Sequence, residues 1–513
     1  MDRPAYSYKT EPKGKQRDVI EASWRERKWA FLCRPGTGKT KIGLDTAGLL
    51  YAAGEIDALV VIAPNGVHRQ WVDEGIPVHL PESIPWKGGA YSSGIGIRAM
   101  DKLTRALATR DMALRVLTLS FEGVQTKKGG ELAHALMNAY RTLLIIDESH
   151  WVSNTKSAGW RAVLKLAALA KYRRISTGTL LRQNPFTAFG QFELLQHGLL
   201  GYQSLSSFKS MYAEMLPPDN GLVKKIADDF KKKTGKTIVP QIIAKDTEDR
   251  PIYRNLEHLR RRVMEWSSFL SLADLDGKEP EVLLSTRYVQ LTLEQRTFYD
   301  QLTSLGVVEH NDGLLTADSG LALATRLCQV VGGFAPNDDD PNATPVCDIN
   351  PKLNELMDIL EELGPLEKVV IWCKFTAEIL AVTSALAERY GLNSLVPYHG
   401  SVSGRDRTEN KARFINDPDC RFFVGQIKAG GTGLDGLQRV SSYMIFYSND
   451  YSYTDREQAI ARLARTAGAL TVNVVDIMAE NSVDEDVVRC MQTAQDVHEK
   501  VLLRRIAGAA VAV

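Results

Sequence analysis

The chain has 513 residues, too many for one hydrophobic core, and at roughly 150 residues per domain its length points to two to four domains. A composition of 44% hydrophobic and 24% charged residues is that of an ordinary globular protein. The net charge of +1 excludes a global field as the means of holding a polyanion, so any such site is a local patch. Cys33, Cys328, Cys347, Cys373, Cys420 and Cys490 stand far apart with no Cys-x-x-Cys pair, which argues against zinc and against a disulfide framework and suits a reducing cytosol. The N-terminus MDRPAYSYK has no apolar signal core, and no apolar run approaches the ~20 residues that span a bilayer. A soluble cytoplasmic protein is the expectation.

In chain order, WAFLC (29–33), ALVVIAP (58–64), RVLTLS (115–120), TLLIID (142–147) and RRISTG (173–178) read as strands buried on both faces. Helix patterns such as 41–53 and 158–170 lie between them. KVVIWC (368–373), NSLVPYHG (393–400), RFFVGQI (421–427), SYMIFYS (442–448) and TVNVVDIM (471–478) repeat the rhythm, with helices expected at 376–391 and 455–468. The spacing predicts an α/β protein of two doubly wound parallel-sheet domains, residues 1–200 and 366–482. A helix-rich insertion, 201–365, separates them, and a C-terminal helix follows at 483–513. Within the insertion, residues 221–262 hold twelve Lys/Arg against six Asp/Glu.

CRPGTGKT (33–40) follows a strand pattern and opens a helix pattern, the context of a phosphate-binding loop, although Cys33 stands where the strict motif has glycine. Gly36, Thr37 and Gly38 would turn backbone N–H groups to an anion, Lys39 would reach the β- and γ-phosphates of ATP, and the Thr40 hydroxyl would hold Mg²⁺. A second GKT, in KKKTGKT (231–237), follows no strand and reads as a solvated basic loop. LLIIDESH (143–150) delivers Asp147, suited to the Mg²⁺ shell, and Glu148, suited to deprotonating the attacking water.

DESH, with the motifs around it, resembles the DEAH-type second motif of superfamily-two helicases, and most of all their Swi/Snf-type branch, minimal here and possibly bacterial or phage. KGKQRDVI, VVIAPNGVHRQWVDE (60–74), ISTGTLLRQNP (175–185), YHGSVSGRDRTENKARFIN (398–416), IKAGGTGLDGL (427–437) and EQAIARLAR (457–465) follow in the family's order. The resemblance covers about residues 10–490 and implies two tandem RecA-like lobes hydrolysing ATP with Mg²⁺. It implies that Gln16 reads adenine, that Gly433 and Asp435 also bind the nucleotide, and that Arg462 and Arg465, at i, i+3 on one helix face, stabilise γ-phosphate charge. His150 would link the metal site to the coupling motif. Trp71 and Tyr447 read as core residues.

The chain departs from the family at Cys33 and Arg34, Ser149 (for Ala), Leu180 (for Pro), an inserted Gly436, Ala464 (for His) and Tyr451-Ser452-Tyr453 (for Trp-Asn-Pro). Asn65, Gly66, Ser120, Lys374, Gly430, Gly431 and Thr432 match positions that touch the nucleic-acid backbone. The resemblance thus implies a DNA-dependent ATPase that translocates on duplex DNA, with single strands also open as substrate. A strand-separating helicase on DNA or RNA, and a nucleotide-gated module remodelling a protein such as RNA polymerase, stay open as alternatives. A monomer guided by a separate targeting protein is expected.

Overall fold

Residues 58–63, ALVVIA, are buried at every position, and the reason is visible in how their side chains divide. Val60 and Ile62 enter one apolar cluster and Leu59, Val61 and Ala63 another, on the opposite face of the same sheet. A parallel strand covered by helices on both sides needs apolar residues at both parities, which is why these strands read as unbroken runs rather than alternations.

The computed structural model describes residues 3–502 except 110, 182–183, 248–249, 277–279, 311–312, 318, 337–342, 428–433, 435 and 466–470. The chain forms two units, one from Met1–Leu275 with 493–513 and the other from Asp276–Gln492.

The first unit carries β1 (Lys28–Cys33), β2 (Ala58–Ala63), β3 (Trp86–Ala90), β4 (Leu114–Ser120), β5 (Thr142–Asp147), β6 (Tyr172–Ser176) and β7 (Ser267–Leu270). They pair in parallel in the order β3-β4-β2-β5-β6-β1-β7. Helices α1 (Gln16–Ser23), α2 (Lys39–Ala52) and α3 (Val67–Gln70) belong to this unit.

The second unit carries β8 (Glu281–Val289), the antiparallel hairpin β9 (Val307–His310) and β10 (Gly313–Thr316), a two-residue ladder of β11 (Phe334–Ala335) and β12 (Thr344–Pro345), and then β13 (Val369–Cys373), β14 (Leu395–Tyr398), β15 (Phe422–Gln426), β16 (Tyr443–Phe446) and β17 (Thr471–Ala479). Its main sheet is parallel throughout, ordered β14-β15-β13-β16-β17-β8. Val369 and Ile371 enter one of its cores and Val370 and Trp372 the other. Two doubly wound parallel sheets are the tandem RecA-like architecture expected. Among the described residues no helix is long and apolar enough to cross a membrane.

Among the described residues, three strands of the two main sheets lie outside the predicted set, β3, β7 and β8, as do the short ladders β9–β10 and β11–β12. Each of the three is a sheet edge, where fewer side chains are buried and the apolar signal fades. β8 exposes Leu283, Leu284 and Tyr288 while pairing with β17 over nine residues. Segment 201–365 thus supplies an edge strand to each sheet as well as helices. The second GKT is also corrected in detail. Residues 231–234 form the last turn of the helix Gly221–Thr234 rather than a loop, with Lys231, Lys232 and Lys233 at its negative end and Gly235 (φ +71°) closing it.

Candidate active site

β1 ends at Cys33, and residues 34–38 turn from it into α2. Gly36 and Gly38 hold φ of +83° and +82°, a region that costs L side chains energy and that lets successive N–H groups converge ahead of the helix. The loop is braced from two sides. Gln16, the first residue of α1, is buried; its Nε2 donates to the Thr37 carbonyl at 2.8 Å and its Oε1 accepts from the Lys13 N–H at 2.7 Å. A Cβ on Gly178 would stand 2.7 Å from Pro35 Cδ, so the segment after β6 packs directly on the loop. Thr37 Oγ1 closes the turn on the Arg34 carbonyl at 2.7 Å. Cys33 is fully buried, and burial pushes its thiol up to about 12. It is a core residue at a strand end rather than a reactive thiol.

β5 delivers Asp147 to the same sheet edge, and the chain leaves it through Glu148 with φ +49°, a left-handed residue of the kind that clusters at functional sites. The Lys39 ammonium pairs with the Glu148 carboxylate. Burial works against the Lys39 charge, but Glu148 and Asp147 outweigh it and hold its pKa above the usual value. Asp147 accepts from Trp71 Nε1 at 3.1 Å and from the Glu148 N–H at 3.1 Å. Burial raises its pKa against the pull of Lys39.

His150 Nδ1 lies 2.9 Å from Thr177 Oγ1 and 3.4 Å from Glu148 Oε2, so it stands between the end of β5 and the segment after β6. A second link runs beside it. Ser149 Oγ donates to Gln191 Oε1 at 2.7 Å, and Gln191 Nε2 donates to the carbonyls of Leu180 (2.8 Å) and Thr187 (3.0 Å). Gln191 belongs to the helix Thr187–Leu195, whose Gly190 approaches so closely that a Cβ there would stand 1.9 Å from the Ser153 carbonyl oxygen. Two departures from the family pattern, Ser149 and Leu180, are therefore joined by one buried amide.

The expected nucleic-acid residues divide. Asn65 and Gly66 are exposed just past β2. Ser120, at the end of β4, is buried, and its Oγ caps a short helix by accepting from the Gly123 N–H at 2.9 Å. In the second unit Lys374 follows β13 with its ammonium 3.5 Å from both Asp450 Oδ1 and Cys328 Sγ. Gly430, Gly431, Thr432, Gly433 and Asp435 lie outside the described residues.

Arg462 and Arg465 do not share a helix face. The helix Tyr453–Ile460 ends before them, and residues 461–465 continue as tight turns, with Arg462 N–H bonded to the Ala459 carbonyl (3.1 Å) and Leu463 N–H to Ile460 (3.0 Å). Leu463 and Ala464 are both buried, in a core of the second unit. Ala464, in place of the family's histidine, is thus a core residue. Ser452 and Tyr453 also find a local reason. Ser452 caps that helix by accepting from the Asp455 N–H at 3.3 Å, and Tyr453 is its first residue. Gly436 has φ +107°, which favours glycine.

Three features went unread in the sequence. They are the Trp71–Asp147 bond, the Ser149–Gln191 relay, and a largely buried pair in the second unit in which Arg456 meets both oxygens of Asp476 (2.6 and 2.7 Å) and Asn449 Oδ1 (2.7 Å). Each joins residues distant in sequence. Trp71 and Tyr447 are buried, in the cores where they were expected.

Residues 351–467 match the helicase conserved C-terminal domain. Over 414 residues, 71% of its length, the chain is 24% identical to the TATA-binding protein-associated factor MOT1 of Saccharomyces cerevisiae, of which it covers 21%. It is 22% identical over 85% of its length to the DNA repair and recombination protein RAD54-like of Drosophila persimilis, covering 54% of it. It is also 22% identical over 88% of its length to the human DNA annealing helicase and endonuclease ZRANB3, covering 36%. The chain spans about a fifth to about half the length of these relatives. The Sulfolobus solfataricus SWI2/SNF2 ATPase core solved with dsDNA aligns over 97% of this chain at 16% identity and a TM-score of 0.38, too loose for the whole structures to be called alike. With the helicase conserved C-terminal domain in its second half and similarity to these relatives over 71–88% of its length, the chain resembles the Swi/Snf-type ATPases of helicase superfamily two.

Proposed function

We propose that the chain is a DNA-dependent ATPase that couples hydrolysis to movement along duplex DNA. The observation that carries this reading is the meeting of Lys39 and Glu148 at one sheet edge, a phosphate loop's lysine against the carboxylate that ends the neighbouring motif. The relatives named for DNA repair, recombination and annealing support DNA as the polymer.

The residues fit a magnesium nucleotide. Glycines with positive φ precede a helix N-terminus, an ammonium is at hand, and Thr40 and Asp147 offer hard oxygen donors. In this reading the backbone of 36–40 and Lys39 hold the phosphates, Thr40 and Asp147 hold Mg²⁺, and Gln16 reads the adenine. Mg²⁺ would supply neutralisation of the charge that develops on the phosphate oxygens.

Glu148 takes a proton from the attacking water as its oxygen bonds to the γ-phosphorus. The bond from that phosphorus to the β–γ bridging oxygen breaks, and ADP leaves with the electron pair. For that step Lys39 exchanges the Glu148 carboxylate for phosphate oxygens. Arg462 and Arg465 are assigned to γ-phosphoryl charge, and Asn65, Gly66, Ser120 and Lys374 to the nucleic-acid backbone.

The test is the ATPase rate measured side by side with no nucleic acid, single-stranded DNA, duplex DNA and RNA. Duplex DNA is expected to raise the rate most, with steep loss as salt increases. Stimulation by RNA alone, or indifference to every polymer, overturns the reading.

A further inference from the structure

After β2 the chain runs through Asn65 and Gly66 into α3 and then into one widened turn, Trp71–Gly75, in which the Ile76 N–H reaches back five residues to the Trp71 carbonyl. Widened turns of this kind are uncommon and recur at functional sites. The two ends of this one touch different parts of the candidate active site. Trp71 Nε1 donates to Asp147 Oδ2 at 3.1 Å, and its ring packs so close to α2 that a Cβ on Gly43 would stand 2.6 Å from Trp71 Cη2. Gly75 lies against Thr40, where a Cβ would stand 2.9 Å from Thr40 Cγ2 and 3.2 Å from Leu44 Cδ1.

One turn therefore abuts both side chains assigned to Mg²⁺, while the residues leading into it, Asn65 and Gly66, are exposed and assigned to the nucleic-acid backbone. Trp71, Gly75 and Ile76 are buried, and a close-packed interior passes a displacement on rather than absorbing it. A hydrogen bond to the carboxylate of a metal ligand also fixes which way its oxygens face.

We propose that the turn Trp71–Gly75 links the nucleic-acid face to the metal-holding side chains within the first unit, with Trp71 setting Asp147 and Gly75 setting Thr40. The inference rests on the proposed function and deepens it. Trp71 is a positioning residue, acting through Asp147. Coupling between two binding sites is reciprocal, so the link has a consequence in binding as well as in turnover.

The experiment measures the affinity of the full chain for a fluorescent duplex by anisotropy, with and without Mg²⁺ and a non-hydrolysable ATP analogue. The wild type is expected to change its duplex affinity by at least about fivefold between the two states. Trp71→Phe keeps the ring and loses the N–H. It is expected to bring that ratio to within about twofold of one and to leave the nucleotide-free affinity within about twofold of wild type. Asn65→Ala is expected to do the reverse, weakening both states and keeping the ratio. Gly75→Ala, which presses on Thr40 with Trp71 intact, is expected to lower the ratio too. It decides the matter if thermal melting shows Trp71→Phe unfolded.

A wild-type ratio in folded Trp71→Phe, or in Gly75→Ala when it decides, overturns the inference alone. A wild type that ignores duplex DNA, or binds it identically in both states, overturns the proposed function and the inference with it.

Discussion

The ammonium of Lys39 rests on the carboxylate of Glu148, two groups 109 positions apart in the chain and both largely buried. Each occupies the other: the cation proposed for phosphate and the base proposed for water are paired, and polyphosphate is the natural competitor for the lysine. Lys39→Ala is accordingly expected to remove both nucleotide binding and turnover. Glu148→Gln is expected to lower turnover by at least about 100-fold while still binding ATP, since general-base catalysis is worth roughly 10²–10⁴-fold. Steady-state rates beside titration with a fluorescent nucleotide separate the two. Wild-type hydrolysis by Glu148→Gln sinks the assignment of the base.

The Ser149–Gln191 relay predicts a stability pattern. Ser149→Ala strands the buried Gln191 Oε1, at a cost of about 1–3 kcal/mol. Replacing both partners, as Ser149→Ala with Gln191→Leu, is expected to recover part of that loss, because an apolar pair strands neither of the two polar atoms. Leu180 O keeps a donor in the double variant, Thr187 Oγ1 at 3.0 Å. Denaturant unfolding of the two single variants and the double gives the interaction energy. Strict additivity contradicts the relay.

His79 predicts a pH dependence. Its ring Nδ1 sits 2.7 Å from Thr10 Oγ1. Burial, and after it the charge of Lys41, hold its pKa down at about 4 from 6.5. Below pH 6.5 the unfolded chain takes up a proton that the folded chain refuses until about pH 4. Stability from this group is therefore full above pH 6.5 and is lost as pH falls through that window. Melting temperatures from pH 7.5 to 4.5 are expected to fall less steeply in His79→Gln than in wild type. Parallel curves count against it.

Arg456 and Asp476 form a two-oxygen pair in the second unit, with the guanidinium 4.2 Å from the centre of the Phe446 ring. Asp476 is buried and keeps Asn449 Nδ2 as a donor at 2.7 Å, so Arg456→Ala, which removes two charge-assisted hydrogen bonds, is expected to cost about 1–3 kcal/mol. Arg456→Lys, which keeps the charge but not the fork, is expected to fall between. Chemical denaturation followed by a probe in residues 276–492 measures both. A loss under about 1 kcal/mol for Arg456→Ala places the pair among screened surface contacts instead.

Ten strands of the two main sheets, the loop at 36–40, and the order of the motifs were legible in the residues alone. The reason is local: continuous apolar runs and Gly-x-Gly-Lys-Thr report their own backbone demands, whatever surrounds them. The strands β3, β7 and β8 were not legible, because these edges bury less and need less apolar surface than β14, an edge that is largely buried. The end of the helix at Ile460 was not legible either, because Ile460, Leu463 and Ala464 keep the i, i+3, i+4 spacing of a helix face beyond that point.

Trp71 carried a readable signal for burial and none for Asp147. Ser149 looked like a departure from a pattern until Gln191 gave its hydroxyl an acceptor. A side chain's class and the conformation of its backbone are properties of the chain in sequence. The partner that a buried N–H or O–H finds is settled only when distant segments pack, since desolvation makes that choice costly to leave unmade.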